Sequence, residues 1–543
     1  MQICTQKQLK HTTCIFAAAA CLSVFSASRT DVRASVVWSG VQDIQMGPAW
    51  LPSYGTWLLD LDTDGAGDFQ FDFTAYSDFV VSTLGSNAVP TQDHHPMLEV
   101  WTSWPLTEGV RIDATLDAVT RWGSNEYVLI DWASSGGELV GVGPWAGVES
   151  AYMGVQFHTS NGTHYGWVRI SVYDAVPGMI IHDWAYETDP HAAITTGATG
   201  LHYVSPSGSH QTPFISWATA ATNIQAAVDA AGDGHVVIIT NGTYTVTNEI
   251  TVTNGITIHS FAGAAVTTVA GGYPVSTNRC FHLMHPDAVV SNLTITNGHA
   301  PDDEFLAEGG FGGGVLCENG GTVRDCVLTD NVAGLGAGVC CLNTGIIRGC
   351  FFTNNTAFIG GGFALLSDSV LTPLSNIVTL SAGSGGTQLF AGDCEVAGNY
   401  ADQAGGGIGL IAGTASNCLI YGNTSHTGGG AACTADGVVI DSTLRDNTAQ
   451  AGGGIVLTEA GQAIRCRIER NQADNGAGAL LFSGGVLRNC LVTGNEATSV
   501  GGVILSDGGS VENCTIATNS ATETGGLYLE NGGQIVNTIV YFN

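Results

Sequence analysis

The stretch "DLDTDGAGDF" carries side chains that could hold a metal ion. Four aspartates lie two or four residues apart around Gly65, namely Asp60, Asp62, Asp64 and Asp68. Calcium takes six to eight hard oxygen ligands, and a tight acidic turn brings several carboxylates together. This spacing predicts a calcium site formed by the four aspartates. The alternative is an acidic turn that only faces solvent, because the whole chain is rich in acidic residues.

The residues that flank this loop predict strands. "TWLLDL" before it and "FQFDF" after it alternate apolar and polar side chains. The loop resembles the calcium loops of integrin-type β-propeller repeats and the first nine positions of an EF-hand. An EF-hand would have glutamate where this chain has Phe71, and it would need flanking helices. A strand–loop–strand calcium site is therefore favoured.

A second pattern repeats cysteine and asparagine at a constant spacing. The repeat asparagines, 24 residues apart except for one interval of 44, are Asn331, Asn355, Asn399, Asn423, Asn447, Asn471, Asn495, Asn519 and Asn543. Five residues before each of them stands a cysteine, except where Ser442 and Thr538 fill the slot. The slot therefore requires a small residue, and we expect buried free thiols, although disulfides between neighbouring coils are also geometrically allowed. Zinc is disfavoured, because no histidine accompanies these cysteines at ligand spacing.

The 24-residue period predicts a solenoid with one coil per repeat. Leucine-rich and helical repeats do not fit, so a right-handed parallel β-helix is favoured. The cysteine and the aliphatic residue two positions later then point inward. Glycine stands 17 residues before the asparagine, for example at Gly314, Gly406 and Gly454, and is expected to supply a turn that a Cβ would prevent. The asparagine is expected to adopt a left-handed bend and to bond the amide of the next coil.

A short helix is predicted to close the first end of this β-helix. In "TNIQAAVDAAG", Thr222 and Gln225 read as a capping box, and Gly232 as the stop. The β-helix is predicted to span residues 201–543. Because the repeat is still running at Asn543, we expect it to continue beyond that residue.

The segment "YVSPSGSHQTPFISWATAATNIQAAVDAAGDGHVVIITNGTY" resembles the opening of secreted β-helix proteins of the pectate-lyase-like superfamily. The repeats, with "GGGI" at 452–455 and "FTNN" at 352–355, are similar to those of bacterial polymorphic outer-membrane proteins, although most coils replace that family's phenylalanine. The resemblance implies an exported right-handed β-helix. It implies no single activity, because the superfamily includes lyases, hydrolases, epimerases and non-catalytic passengers.

The first half of the chain differs from the second. Residues 35–195 show short alternating runs separated by glycine and asparagine turns, which predict an antiparallel β-sandwich. Residues 196–200 are the predicted linker. Residues 1–34 read as a signal peptide, in which Lys7 and Lys10 precede the apolar run "CIFAAAACLSVF".

The composition restricts the partners. With 47 acidic and 15 basic residues, the formal net charge is −32, so the chain should repel nucleic acid and anionic membrane surfaces. After the signal no apolar run is long enough for a transmembrane span. We expect an extracellular protein or one at the bacterial cell surface, associated with the outer membrane. The eleven tryptophans are assigned mainly to core packing, with a sugar-stacking platform as the alternative.

Two functions are consistent with these patterns. The first is a non-enzymatic secreted or cell-surface protein that acts in adhesion, with polysaccharide or cell-surface glycan as its partner. The alternative is a calcium-dependent polysaccharide lyase or glycoside hydrolase, which needs a carboxylate and a base at one place. The best place is the acidic insertion "HAPDDEFLAEGG", which contains Asp302 and Asp303 and has Arg279, Arg324 and Arg348 as its nearest basic residues.

Overall fold

Two β architectures follow one another in the computed structural model of this chain. The structure describes residues 201–300, 310–367 and 389–543, and between residues 36 and 200 it describes the strands given below with some adjoining residues. The predicted signal peptide lies outside the described residues. The predicted fold class, an antiparallel β-sandwich followed by a parallel β-helix with coils of 24 residues, is confirmed.

Two sheets with mainly antiparallel pairing form the first architecture. The five-stranded sheet contains Val36–Trp38, Ile44–Met46, Ala151–Thr159, Gly162–Val172 and Met179–Glu187. The eight-stranded sheet contains Thr56–Leu59, Phe69–Phe73, Phe79–Thr83, Val89–Gln92, Thr102–Ser103, Arg121–Gly123, Glu126–Ser135 and Glu138–Val142. Arg111–Ile112 pairs with Ile194–Thr195. Phe69 and Phe71 of one sheet share a buried core with Val155 and Ile170 of the other, as expected for a sandwich.

Four parallel sheets form the β-helix. Sheet 1 contains Leu201–Val204, Val236–Ile239, Thr257–Ser260, Val289–Ser291, Thr322–Arg324, Gly345–Arg348, Leu389–Gly392, Thr414–Ser416, Val438–Ile440, Gln462–Ile464, Val486–Arg488, Ser510–Glu512 and Gln534–Val536. Sheet 2 contains Gly242–Thr245, Thr267–Ala270, Thr294–Thr296, Val327–Thr329, Phe351–Thr353, Glu395–Ala397, Leu419–Tyr421, Thr443–Arg445, Arg467–Glu469, Leu491–Thr493, Thr515–Ala517 and Ile539–Tyr541. Sheet 3 contains Ile250–Val252, Phe281–Leu283, Val315–Cys317, Val339–Leu342, Phe363–Leu366, Ile408–Leu410, Ala431–Cys433, Ile455–Thr458, Ala479–Phe482, Val503–Ser506 and Leu527–Glu530. Sheet 4 contains Val332–Leu335, Thr356–Ile359, Tyr400–Ala404, Thr424–Thr427, Thr448–Ala451, Gln472–Asn475, Glu496–Ala497 and Ser520–Ala521.

The repeat asparagines form a continuous hydrogen-bonded ladder inside the β-helix. Each side-chain amide donates to the side-chain oxygen of the next coil at 2.8–3.0 Å. The same oxygen accepts the backbone N–H of the preceding asparagine at 2.9–3.1 Å. From Asn331 to Asn519 these side chains are at most 2% exposed. The predicted amide ladder is confirmed, and it satisfies polar groups that would be costly to bury alone.

The left-handed bend lies one residue earlier than predicted. The positive φ belongs to the residue before the asparagine, for example Asp446 at 56° and Arg470 at 55°. A second left-handed residue precedes the cysteine slot, for example Asn489 at 57°. The asparagine itself has no positive φ, and its backbone N–H and side-chain amide both bond the asparagine oxygen of the next coil. A left-handed residue therefore stands immediately before each of the two ladder residues of these coils.

The cysteine slot is a second ladder. All twelve cysteines of the described β-helix are buried free thiols, which confirms the expectation. Cys490 accepts the N–H of Cys466 through its sulfur at 3.3 Å and lies 3.2 Å from the carbonyl oxygen of Arg488, to which its thiol donates. Ser442 makes the same contacts with the N–H of Cys418 at 3.0 Å and its own coil at 2.8 Å. The slot therefore selects a small side chain that both donates and accepts, which explains why serine and threonine replace cysteine there.

The repeated glycine spacing has a different physical basis from the one predicted. At Gly454 an added Cβ would lie 2.5 Å from the carbonyl oxygen of Gly478, although the φ of Gly454 is not positive. The left-handed glycine of this coil is Gly452, with φ of 65°. In the coil after Asn399, Gly407 rather than Gly406 meets the carbonyl of Gly430 in this way. Close approach between coils, and not turn geometry, fixes the glycine column.

The first coil is closed by a helix, Ile224–Ala230, as predicted, but its cap is different. Asn223 is the N-cap residue, and its side chain accepts the N–H of Ala226 at 2.9 Å. The predicted capping box is wrong, because Gln225 bonds the backbone of Thr251 through both ends of its amide, at 2.8 and 3.1 Å. Thr251 belongs to the first strand of sheet 3, so Gln225 fastens the helix over an open sheet edge.

We expect Asn447→Ala to destabilise the β-helix by about 2–4 kcal/mol. The substitution removes the acceptor of the N–H of Asn423 and the donor to the carbonyl oxygen of Ile420, both at 3.0 Å and both buried. Urea unfolding followed by circular dichroism would measure the change. Thr448→Ala, at the neighbouring exposed position, is the matched control and should change the midpoint little. Equal midpoints for the two variants would contradict a stabilising ladder.

Candidate functional site

The predicted calcium loop connects two paired strands. Thr56–Leu59 and Phe69–Phe73 are antiparallel neighbours, so the strand–loop–strand setting is confirmed. Asp68 is buried, and its carboxylate accepts the N–H of Leu61 at 2.8 Å and the side-chain amide of Asn87 at 3.1 Å. Asp60 directly follows the first strand, while Asp62 and Asp64 lie outside the described residues. The four-aspartate calcium site therefore stays a prediction.

The described residues offer no further group of metal-ligating side chains. Within the described residues, no three His, Cys, Asp or Glu side chains are grouped so that they could hold a metal ion. Asp302 and Asp303 of the acidic insertion lie outside those residues. Of the arginines near the insertion, Arg279 is buried and the other two are on the surface, where Arg324 contacts Asp325 and Arg348 lies over the ring of Phe390.

A compact group of acidic and basic side chains lies on the outer face of sheet 3 in its first three coils. His282 contacts Glu249 through Nδ1 at 3.2 Å and Glu318 through Nε2 at 2.8 Å. Arg279 donates to the second oxygen of Glu249 and to the carbonyl oxygens of Phe311 and Gly312 at 3.0 and 2.9 Å. We call these four side chains, Glu249, Arg279, His282 and Glu318, the charged cluster.

The charged cluster holds its members in their ionised forms. The hydrogen bond from His282, with help from Arg279, lowers the pKa of Glu249, and the same histidine lowers the pKa of Glu318. Burial alone would lower the pKa of His282, but its bonds to the two glutamates outweigh burial and raise it. Two cations therefore face two carboxylates. A carboxyl that acts as a general acid needs a raised pKa, and neither Glu249 nor Glu318 has one.

The sequence reading missed this cluster for a physical reason. His282 lies 33 residues from Glu249 and 36 from Glu318, so the coils here are longer than the regular 24 and of unequal length. The cluster could have been found from the alternation of inward and outward side chains along these strands. Ile250, Phe281 and Val315 are paired in register and point inward. With this alignment, Glu249, His282 and Glu318 fall on one outer face.

A serine–histidine pair in the sandwich also has the residue types of a nucleophile and its base. Ser171 Oγ lies 2.7 Å from His182 Nε2, and the same hydroxyl accepts the N–H of Ser150 at 2.9 Å. The adjacent Asp183 receives a two-pronged contact from Arg169, with both distances 2.8 Å. His182 sits at a bulge between its strands, and we interpret the pair as a cross-strand contact.

Comparison with known proteins identifies no family for this chain. No family model matches the chain, and no curated protein matches it. Among solved structures, the chain is similar to PfbA, a surface adhesin of Streptococcus pneumoniae, with 11% identity and a TM-score of 0.26. The match covers 58% of this chain and 85% of the adhesin. The predicted relationships to the pectate-lyase-like superfamily and to polymorphic outer-membrane proteins are not confirmed.

The charged cluster predicts a pH-dependent contribution to stability. The raised pKa of His282 means that its contribution is complete below its ordinary value of about 6.5 and is lost as pH rises through the folded value. The lowered pKa values of the glutamates mean that their contribution is present above about 4.3 and is lost at lower pH. The cluster therefore stabilises most between about pH 5 and 6.5.

We expect His282→Gln to lower the melting temperature most in this window and progressively less above it. Thermal unfolding of the full chain at half-unit pH steps would measure the difference from the wild type. His426→Gln, on sheet 4, is the matched histidine control and should not follow the same pH course. A loss of equal size at every pH would contradict an ionised His282.

Proposed function

We propose that this chain is a secreted or cell-surface β-helix protein that acts by binding in adhesion, with a glycan or another surface component as its partner, and not by catalysis. The proposed location is the extracellular space or the bacterial cell surface, in association with the outer membrane. Within the described part of the chain, no helix is long and apolar enough to cross a membrane. The observation that carries the proposal is the way in which the polar side chains are used.

The repeated polar residues support folding. The asparagine and cysteine columns are buried and bonded from coil to coil, so they are not available to a ligand. The charged cluster, which is the best acid–base group among the described residues, is neutralised by its own members. The outer surface of the regular coils is left as the place where partners can bind, as in other solenoids.

The cationic side chains are also engaged. Each arginine whose side chain the structure describes contacts a carboxylate or an aromatic ring: Arg169, Arg279, Arg324, Arg348, Arg445, Arg465, Arg467, Arg470 and Arg488. The chain has no lysine after Lys10. A polysaccharide lyase needs a base with an available electron pair, and Arg279, the arginine of the charged cluster, is bonded to Glu249 and to two carbonyl oxygens.

The alternative function is a calcium-dependent polysaccharide lyase or glycoside hydrolase. It would use the acidic insertion, and a direct assay separates it from binding. The purified chain would be incubated with calcium and a panel of uronate polysaccharides. Lyase products would be followed by the absorbance of their double bond at about 230 nm, and hydrolysis by the appearance of new reducing ends. We expect neither product.

Turnover that Asp302→Ala, Asp303→Ala or Glu318→Gln abolishes would overturn the binding proposal and favour the enzyme. Asp474→Ala, which removes an exposed carboxylate of sheet 4, is the control for a general charge effect. Turnover that persists in all four variants would also overturn the proposal and would place the active site elsewhere.

We also propose that calcium binds the loop formed by Asp60, Asp62, Asp64 and Asp68. The setting supports this, since Asp68 N–H bonds the carbonyl oxygen of Leu59 at 2.7 Å and so closes the loop between its strands. A short closed loop lowers the entropy cost of bringing carboxylates around one ion.

Calcium should raise the melting temperature of the full chain, because a ligand that binds only the folded state stabilises it. The double variant Asp62→Ala, Asp64→Ala should remove that rise, as measured by calorimetry with and without excess calcium. The control is Asp229→Ala, an acidic residue of the first-coil helix. A calcium response that survives in the double variant would exclude this loop as the site.

A further inference from the structure

A cavity at the start of the β-helix combines an exposed aromatic ring with uncharged polar side chains. Its volume is about 620 Å³, and its lining residues are Ser205, Pro206, Ser207, Thr240, Asn241 and Phe261. The serines follow the first strand of sheet 1, Thr240 and Asn241 follow the second, and Phe261 follows the third. Three successive coils therefore build one concavity, and its volume falls within the range of about 300–1,000 Å³ typical of small-molecule sites.

The aromatic wall is exposed and is held in place by other rings. Phe261 is 69% exposed and Trp217 is 39% exposed. Trp217 packs edge-to-face against Phe261 at 5.7 Å and against Tyr203 at 4.5 Å. The backbone N–H of Phe261 bonds the carbonyl oxygen of Ile239 at 2.8 Å. This ring is therefore fixed in position while its face contributes little to the core, which is the arrangement expected of a stacking surface for a ligand.

The polar wall consists of groups that both donate and accept hydrogen bonds. Ser205 Oγ and Ser207 Oγ lie 3.1 Å apart, and Thr240 Oγ1 lies 2.9 Å from the hydroxyl of Tyr244. Asn241 is exposed at the rim and offers an amide with two donors and one acceptor. Hydroxyl and amide groups of this kind match the hydroxyl rim of a pyranose ring, while its C–H face suits an aromatic surface.

The charge of the surroundings restricts the class of sugar. None of the lining residues is charged. The described arginines are paired, and the chain has a formal net charge of −32. A uronate or sulfated sugar would enter this cavity without a compensating cation, which is costly. A neutral sugar has no such requirement.

We propose that this cavity binds a neutral hexose or pentose unit of a glycan, with Phe261 stacking on the pyranose ring and Ser207, Thr240 and Asn241 bonding its hydroxyls. The proposal rests on the proposed binding function and assigns its location and ligand class. It also gives Trp217 a defined position, in contact with the stacking residue and outside the buried core of the sandwich that holds Trp145.

The test uses the full chain and neutral oligosaccharides of six units built from glucose, xylose, mannose or galactose, with hexagalacturonate as the charged comparison. Binding would be measured by calorimetry and by saturation-transfer NMR. We expect binding to at least one neutral oligosaccharide and not to hexagalacturonate. Phe261→Ala should weaken that binding by about tenfold or more.

Phe542→Ala is the matched control, because it removes the same ring from a position that is 84% exposed and far along the sequence. It should leave the Kd unchanged, and both variants should melt at the wild-type temperature, since neither ring is buried. Asn241→Ala should change the ranking of the neutral sugars, because it removes a hydrogen-bonding group and leaves the stacking ring.

The outcomes separate this site from the broader proposal. Neutral binding that Phe261→Ala does not weaken would overturn the site and leave a binding function intact. Binding to hexagalacturonate alone, or to none of the sugars, would overturn the neutral-glycan assignment. Failure of the binding function itself would appear separately, as product formation in the polysaccharide assay. Loss of binding in Phe542→Ala as well would show that the effect is not local and would overturn the assignment.

Discussion

Each buried asparagine of the ladder must find its partner in the next coil, and this requirement organises the regular part of the β-helix. A buried asparagine has several hydrogen-bonding groups to satisfy, and here the neighbouring asparagines satisfy them by repeating at the same height. The ladder continues across the 44-residue interval from Asn355 to Asn399, so a coil can gain residues between its strands as long as the asparagines stay in register. Left-handed residues before each ladder position, and glycines where coils approach closely, follow from the same requirement.

Two irregular surface features lie where the asparagine ladder does not run. The charged cluster and the aromatic cavity both lie in the first coils, before Asn331, where coil lengths are irregular. Outward side chains in the regular coils instead form bridges between neighbours, such as Arg465 with Asp441 and Arg470 with Asp446. Exposed salt bridges of this kind add little to stability, but they pair the few arginines of an acidic chain with its own carboxylates.

Much of the fold could be predicted from the sequence, because a repeated residue reports its own structural role. The 24-residue spacing predicted the asparagine and cysteine columns. The alternation of apolar and polar residues predicted the sandwich, and the pattern of residues 222–232 predicted the first-coil helix. Details that depend on backbone geometry were not predicted. The left-handed residue was assigned one position late, Gly406 was taken for Gly407, and Thr222 was taken for the N-cap in place of Asn223. The charged cluster was missed because its members have no common period, and the aromatic cavity because only the folded chain brings Phe261 to Trp217.

The asparagine ladder is also directional. From Asn331 to Asn519 each side-chain amide donates one hydrogen bond to the asparagine oxygen of the later coil and another to a backbone carbonyl of the earlier coil, while the oxygen of Asn331 accepts the N–H of Gly298 at 2.9 Å. The amide dipoles are thus aligned head to tail along the stack and can polarise one another. This chain of dipoles stays unbroken only when whole coils are added or removed and when every coil keeps the same orientation. The length of the rod is therefore adjustable in steps of about 4.8 Å, one coil at a time.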